Sequence, residues 1–188
     1  MKSPIEVLLY VAQTLDKLKA PYFVVGSVAS SLFGLSRTTD DVDMVADINL
    51  DDAHKLFEAL KDTFYVDEQA IRRAILNHRM FNVIHFDSVF KVDVYIPSAD
   101  EFSHQQFARR RQEALLPDTP QMIYLASPED VVLSKLRWYR QGGEVSERQL
   151  TDAAGIIKVQ GQRLDDSYLR EWAEKLNVSD LLEKVLKS

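Results

Sequence analysis

The 188-residue chain contains no cysteine, which excludes disulfides, a thiolate metal site and a cysteine nucleophile together. Its amino terminus, Met1-Lys2-Ser3-Pro4-Ile5-Glu6, lacks the apolar run of a signal peptide, and no stretch reaches the length of a membrane span. A cytoplasmic location with no membrane partner is the expectation. The histidines His54, His78, His85 and His104 are scattered without ligand spacing, so no zinc site is indicated. Excess positive charge is missing too. The formal net charge is −6, which argues against a whole surface built to hold nucleic acid. Arg72-Arg73 and Arg109-Arg110-Arg111 leave a local basic patch open, solvated helix surface being the blander reading of each. Internal repeats and low-complexity tracts are absent.

What is present is an ordinary globular composition, 46% hydrophobic and 28% charged, in a chain long enough to bury a core. Ile5, Leu8, Leu9, Ala12, Leu15 and Leu18 recur at helical spacing behind a Ser3-Pro4 start. Pro21 breaks that helix, and Tyr22 to Val25 reads as a buried strand. A short helix over Ser27 to Phe33, a strand over Asp41 to Ala46 and a helical stripe through Ala53, Leu56, Phe57 and Leu60 follow. Met80 to Phe86 and Val89 to Ile96 make a hairpin turning at Asp87-Ser88. A helix over Glu101 to Leu115 and a strand over Met122 to Leu125 complete this part, with Glu68 to Arg79 left as a loop. From Ser127 the pattern is helical only: Ser127-Pro128-Glu129-Asp130 starts a helix that Gly142-Gly143 stops, and Glu147 to Val159, Asp166 to Leu176 and Ser179 to Leu186 are three more. The expected architecture is α+β, a small mixed sheet flanked by helices over residues 1–126, followed by a helical part over 127–188 that packs on it.

The chemistry concentrates in the segment from Tyr22 to Val45. A buried strand leads to Gly26-Ser27, a helix starts, and the next strand opens with Asp41-Val42-Asp43. Side chains alternate along a strand, so Asp41 and Asp43 point the same way. Two carboxylates held that close repel each other unless a cation lies between them. Glycine lets a backbone approach a phosphate, and the helix after it offers unpaired N–H groups and the positive end of its dipole. A Mg²⁺ site beside a phosphate cradle is the reading that joins these features. The bland alternative is a serine N-cap and two surface acids. A further acid, Asp93, sits between Lys91 and Tyr95 on the face opposite Val92, Val94 and Ile96. Arg37, in the loop before Asp41, either binds a γ-phosphate or is an ordinary surface arginine.

Gly26-Ser27, Asp41-Val42-Asp43 and the strand-borne Asp93 resemble the signature of the nucleotidyltransferase superfamily, which includes DNA polymerase beta and the aminoglycoside-modifying adenylyltransferases. The resemblance implies transfer of an NMP from an NTP to an acceptor, with Mg²⁺ (or Mn²⁺) as cofactor. Asp41 and Asp43 would hold two ions, Asp93 would complete the site for the ion that activates the acceptor, and Gly26 and Ser27 would receive the triphosphate. Ser127-Pro128-Glu129-Asp130-Val131-Val132-Leu133-Ser134-Lys135-Leu136 and Glu147-Arg148-Gln149-Leu150-Thr151-Asp152 resemble the last two motifs of the nucleotidyltransferase toxins of abortive-infection systems. By that likeness Lys135 would hold phosphate or stabilise transition-state charge, and Asp152 would belong to the nucleotide site. The Lys-Asp pair usual in the last motif is absent, Thr151 preceding Asp152. The alternatives are a solvated lysine on an amphipathic helix and an ion pair tying two helices. The partners implied are an NTP, an acceptor that is RNA, protein or a small molecule, and an antitoxin protein. The competing reading is an inactive binding module of the same fold. A phosphohydrolase or glycosyltransferase with Asp-x-Asp leaves Gly26-Ser27 unexplained.

Overall fold

In the computed structural model, which describes residues 3–35, 41–115 and 121–187, Ser3 caps the first helix, α1 (Pro4–Lys17). Its hydroxyl accepts from the Glu6 N–H, and the Glu6 carboxylate accepts from the Ser3 N–H, a reciprocal cap on a helix with proline at its start. The chain divides into two compact units, one spanning Met1–Val25 and Thr39–Leu125, the other Gly26–Thr38 and Ala126–Ser188.

Among the described residues the first unit holds a seven-stranded sheet. Its strands are β1 (Tyr22–Val25), β2 (Asp41–Ala46), β3 (Phe64–Tyr65), β4 (Met80–His85), β5 (Lys91–Tyr95), β6 (Arg111–Ala114) and β7 (Met122–Leu125). They lie in the order β3-β4-β5-β2-β1-β7-β6, with β2–β5 and β1–β7 parallel and the other neighbours antiparallel. Val42, Met44, Ala46, Val92, Val94, Phe81 and Val83 are buried on one face, because alternation puts every second residue there. Asp41, Asp43, Val45, Lys91 and Tyr95 on the other face are only half-buried, and Asn82 is exposed. The sheet therefore has a closed face and a more open one.

Helices α3 (Ala53–Leu60), α4 (Glu68–Asn77) and α5 (Glu101–Arg109) belong to the same unit. The expected loop over Glu68 to Arg79 is mostly α4. Asp67 caps it by accepting from the Gln69 and Ala70 N–H groups, and His78 ends it with a φ of 48°. The helix expected over Glu101 to Leu115 ends early. Arg110 takes an extended ψ of 144°, its guanidinium stacks 4.7 Å from the Tyr124 ring centroid, and the following residues pair with β7 as β6. The hairpin turns at Asp87-Ser88 as expected, although its strands stop at His85 and Lys91. Val89 sits at a φ of 59°, and the His85 N–H donates to the Phe90 carbonyl.

The second unit is helical: α2 (Gly26–Phe33), α6 (Pro128–Gln141), α7 (Glu147–Gln160), α8 (Asp166–Lys175) and α9 (Ser179–Leu186). The short helix α2, expected with the amino-terminal part, groups with the carboxyl-terminal helices. Gly34 shows why: a Cβ there would stand 2.9 Å from the Ile156 backbone nitrogen, so α2 ends directly against the backbone of α7. The Gln160 amide also donates to the Phe33 carbonyl at 2.7 Å. Among the described residues no helix is long and apolar enough to cross a membrane.

Candidate active site

The parallel pairing of β2 with β5 decides the geometry of the open face. Asp43 is the register partner of Asp93, and Asp41 that of Lys91, so all four side chains rise from neighbouring positions on one face. Asp93 is 5% exposed. A carboxylate that deep needs partners. The Lys91 ammonium lies 2.7 Å from one oxygen, and the Asn82 side-chain amide, opposite Asp93 on β4, donates to the other. Lys91 is held protonated above the ordinary lysine range, first by its hydrogen bond to Asp93 and then by the charges of Asp93, Asp41 and Asp43. Tyr95, the next residue along this face, has its phenol pushed up to about 12, by burial first and then by the charges of Asp43, Asp93 and Asp41.

Three aspartates on adjacent strands fit Mg²⁺ in donor type, being hard oxygen ligands for an ion that takes water and phosphate for the rest of its shell. Among the described residues no group of three His, Cys, Asp or Glu is already gathered as a ligand set. The observation that bears on cation affinity is the stand-in: an ammonium already sits at Asp93. Asn82 was not anticipated as part of this cluster. The hairpin contained the signal, because counting outwards from Asp87-Ser88 on both arms brings Asn82 opposite Asp93.

In the helical unit, Gly26 carries a φ of 63°, a conformation that favours glycine at the start of α2. The Ser30 hydroxyl donates to the Gly26 carbonyl at 3.0 Å, which fixes the first turn. Ser27 is 7% exposed, and its hydroxyl accepts a hydrogen bond from the Arg148 guanidinium at 3.2 Å across 121 residues of chain. Lys135 and Asp152 meet each other: Lys135 Nζ lies 2.8 Å from the Asp152 carboxylate and 3.3 Å from the Gln149 side-chain oxygen. Their side chains are 4% and 11% exposed, so the pair joins α6 to α7 in a dry setting. Arg37 lies outside the described residues.

Glu129 and Asp130 are the acids of the first turn of α6. Both are buried, at 1% and 0% exposure. The Asp130 carboxylate accepts from Tyr168 Oη at 2.7 Å and Ser127 Oγ at 2.9 Å, and Glu129 accepts from the Asp165 N–H at 3.1 Å. The basic side chains Arg72, Arg73 and Lys91 each meet an acid. Arg72 pairs with Glu68, Arg73 with Asp67 and Lys91 with Asp93.

No protein-family model and no curated protein matches the chain. Solved structures do. The antibiotic-resistance factor ANT(2'')-Ia in solution matches over 100% of both chains with a TM-score of 0.57 and 12% identity. A crystal structure of ANT(2'')-Ia in complex with adenylyl-2''-tobramycin matches over 94% of this chain and 98% of that one, with a TM-score of 0.54 and 11% identity. An antigenic nucleotidyltransferase-like protein from Paracoccidioides brasiliensis matches over 94% of this chain and 90% of its own, with a TM-score of 0.55 and 19% identity. Identities this low bear on architecture and not on chemistry. With its mixed sheet, its helices and this set of structural relatives, the chain has the nucleotidyltransferase fold.

Proposed function

We propose that this chain is a Mg²⁺-dependent nucleotidyltransferase that moves an NMP from an NTP to an acceptor and releases pyrophosphate, Mn²⁺ serving in place of Mg²⁺. The observation that carries the reading is the register of β2 and β5, which sets Asp43 beside Asp93 with Asp41 on the same face. Asp41 and Asp43 would hold the metal, with Asp93 completing the ligand set toward the acceptor. Bound there, the metal supplies charge neutralisation at the α-phosphate and the leaving pyrophosphate, and it acidifies the acceptor hydroxyl.

The remaining tasks fall to the chain's own groups. Gly26 and Ser27 receive the triphosphate tail on the first N–H groups of α2. Gly26 is the next residue after Val25, whose register partner is Asp43. Arg148, hydrogen-bonded to Ser27, contributes positive charge for the same tail. The Lys135–Asp152 pair fixes the helix that carries Arg148. Arg37, four residues before Asp41 in the sequence, is the remaining candidate for that tail.

The paired state of Arg72, Arg73 and Lys91, together with the net charge of −6, favours a hydroxyl on a small molecule over an RNA end as acceptor. The likeness of Ser127 to Leu136 and of Glu147 to Asp152 to toxin motifs supports a growth-arresting role neutralised by an antitoxin protein. Induced expression of the wild type, but not of Asp43→Asn, would then arrest growth.

The direct test incubates the protein with Mg²⁺ and each labelled NTP, with tRNA in one arm and hydroxyl-bearing small molecules in another, and follows label and pyrophosphate. Activity that survives Asp41→Ala combined with Asp43→Ala contradicts the mechanism. Failure of the wild type to bind any NTP favours the inactive module.

A further inference from the structure

We propose that Lys91 is a built-in counter-cation of the carboxylate face, which holds Asp93 until a divalent ion replaces it, so that the site binds metal in competition with its own lysine. The inference rests on the metal-binding reading above and adds to it a residue that sets cation affinity.

Three observations carry it. Lys91 and Asp93 are two residues apart on β5, so their side chains share the open face, and their charged atoms are 2.7 Å apart. The two partners differ in freedom: the Asp93 side chain is 7% exposed, whereas that of Lys91 is 38% exposed. Lys91 is also the register partner of Asp41, which places its stem in the row of acids.

The consequences follow from charge and reach. A divalent ion that takes Asp93 as a ligand meets an ammonium 2.7 Å from one carboxylate oxygen, with the Asn82 amide on the other, and like-charge repulsion sets the two cations in competition. Asp93 cannot move out to meet the ion without exposing its buried surroundings, whereas a four-carbon stem with an open flank can swing away at little cost. The displaced ammonium would then be available to an anionic ligand. An anion that draws Lys91 off Asp93 strengthens cation binding, and by reciprocity the cation strengthens binding of the anion. Metal and phosphate-bearing ligand are thereby coupled through one side chain.

The test is Mn²⁺ binding to the full chain without nucleotide, read by the loss of the free-ion paramagnetic signal. Lys91→Met should bind Mn²⁺ more tightly than the wild type by about tenfold or more, the scale of one charge-assisted hydrogen bond removed from competition. Lys91→Arg, which keeps a cation on Asp93, should stay near the wild type. Lys91→Gln keeps a donor to Asp93 without the charge and serves as the second variant should Lys91→Met fold poorly; it too should bind more tightly. Thermal unfolding gives an independent readout, since Mn²⁺ should raise the Tm of Lys91→Met by more than that of the wild type. Wild-type binding with equal or weaker binding by both neutral variants overturns the competition and leaves the metal site standing. Absence of binding by wild type and neutral variants alike overturns the metal site itself, and the inference with it.

Discussion

Lys135 and Asp152 in the helical unit lie 2.8 Å apart with side chains only 4% and 11% exposed, whereas Asp41, Asp43 and Asp93 in the sheet unit stand side by side on the more open face. The helical unit follows the rule for buried polar groups. Its deep lysine meets a carboxylate, Asp130 accepts two hydroxyl hydrogens, and Glu129 accepts a backbone N–H. Folding gives that arrangement a sufficient reason. The sheet face is different, because like charges at neighbouring positions on one face repel. One lysine relieves Asp93. Asp41 and Asp43 stand beside it on the same face, where the proposed metal would bind.

Asp43→Asn is expected to break this comparison most sharply. It removes one of the three acids and leaves the side chain's size, so transfer should fall on the order of a thousandfold, the scale for losing one electrostatic stabiliser of a charged transition state. Thermal unfolding should show a Tm equal to or above that of the wild type, since a repulsion is relieved. A large drop in Tm would make Asp43 a structural residue like those of the helical unit.

Lys135→Met probes the other side. Breaking a buried ion pair leaves an uncompensated charge, and Asp152 should then cost about 3–5 kcal/mol in urea unfolding. Adding Asp152→Leu should restore most of that loss, because an apolar pair replaces an ionic one. Full stability with lost transfer in Lys135→Met would move this lysine into the active site. Tyr168→Phe is smaller: it takes one donor from the buried Asp130, for about 1–3 kcal/mol, and should leave transfer unchanged.

The contrast also explains which features could be read from the chain. β2 was legible to its ends, because Asp41, Asp43 and Val45 alternate with Val42, Met44 and Ala46. So was Asp93 between Lys91 and Tyr95, and so was α6 with its Ser127 cap and its stop at Gly142. Local pattern failed where long-range pairing decides. The four residues of β6, Arg111 to Ala114, are mostly exposed and hold a strand through β7. α4 buries Ile71 and Ala74 on an otherwise polar helix, too thin a stripe to stand out. The contacts of Arg148 with Ser27 and of Tyr168 with Asp130 span 121 and 38 residues, beyond the reach of any periodicity. The acids of the site were therefore visible, and the cations and donors that hold them were not.

Tyr95 offers the finest measure of the sheet face. Its phenol is pushed up to about 12 by burial and by Asp43, Asp93 and Asp41. A phenol ionises to an anion, so neighbouring carboxylates favour its protonated form and the folded chain keeps the proton when the unfolded chain has lost it. Above the ordinary value of 10 the unfolded state therefore binds fewer protons than the folded one. From this residue stability should be flat below that pH and should fall between it and about 12. The ultraviolet absorbance of the phenolate, taken as the difference between wild type and Tyr95→Phe, reports the titration directly. In Asp43→Asn the midpoint should move down toward the ordinary value, because one of the three charges is gone, and saturating Mg²⁺ should move it the same way in the wild type. A midpoint unmoved by Asp43→Asn would mean that burial and the other two acids set it, and that Asp43 exerts less field on its own face than its register implies.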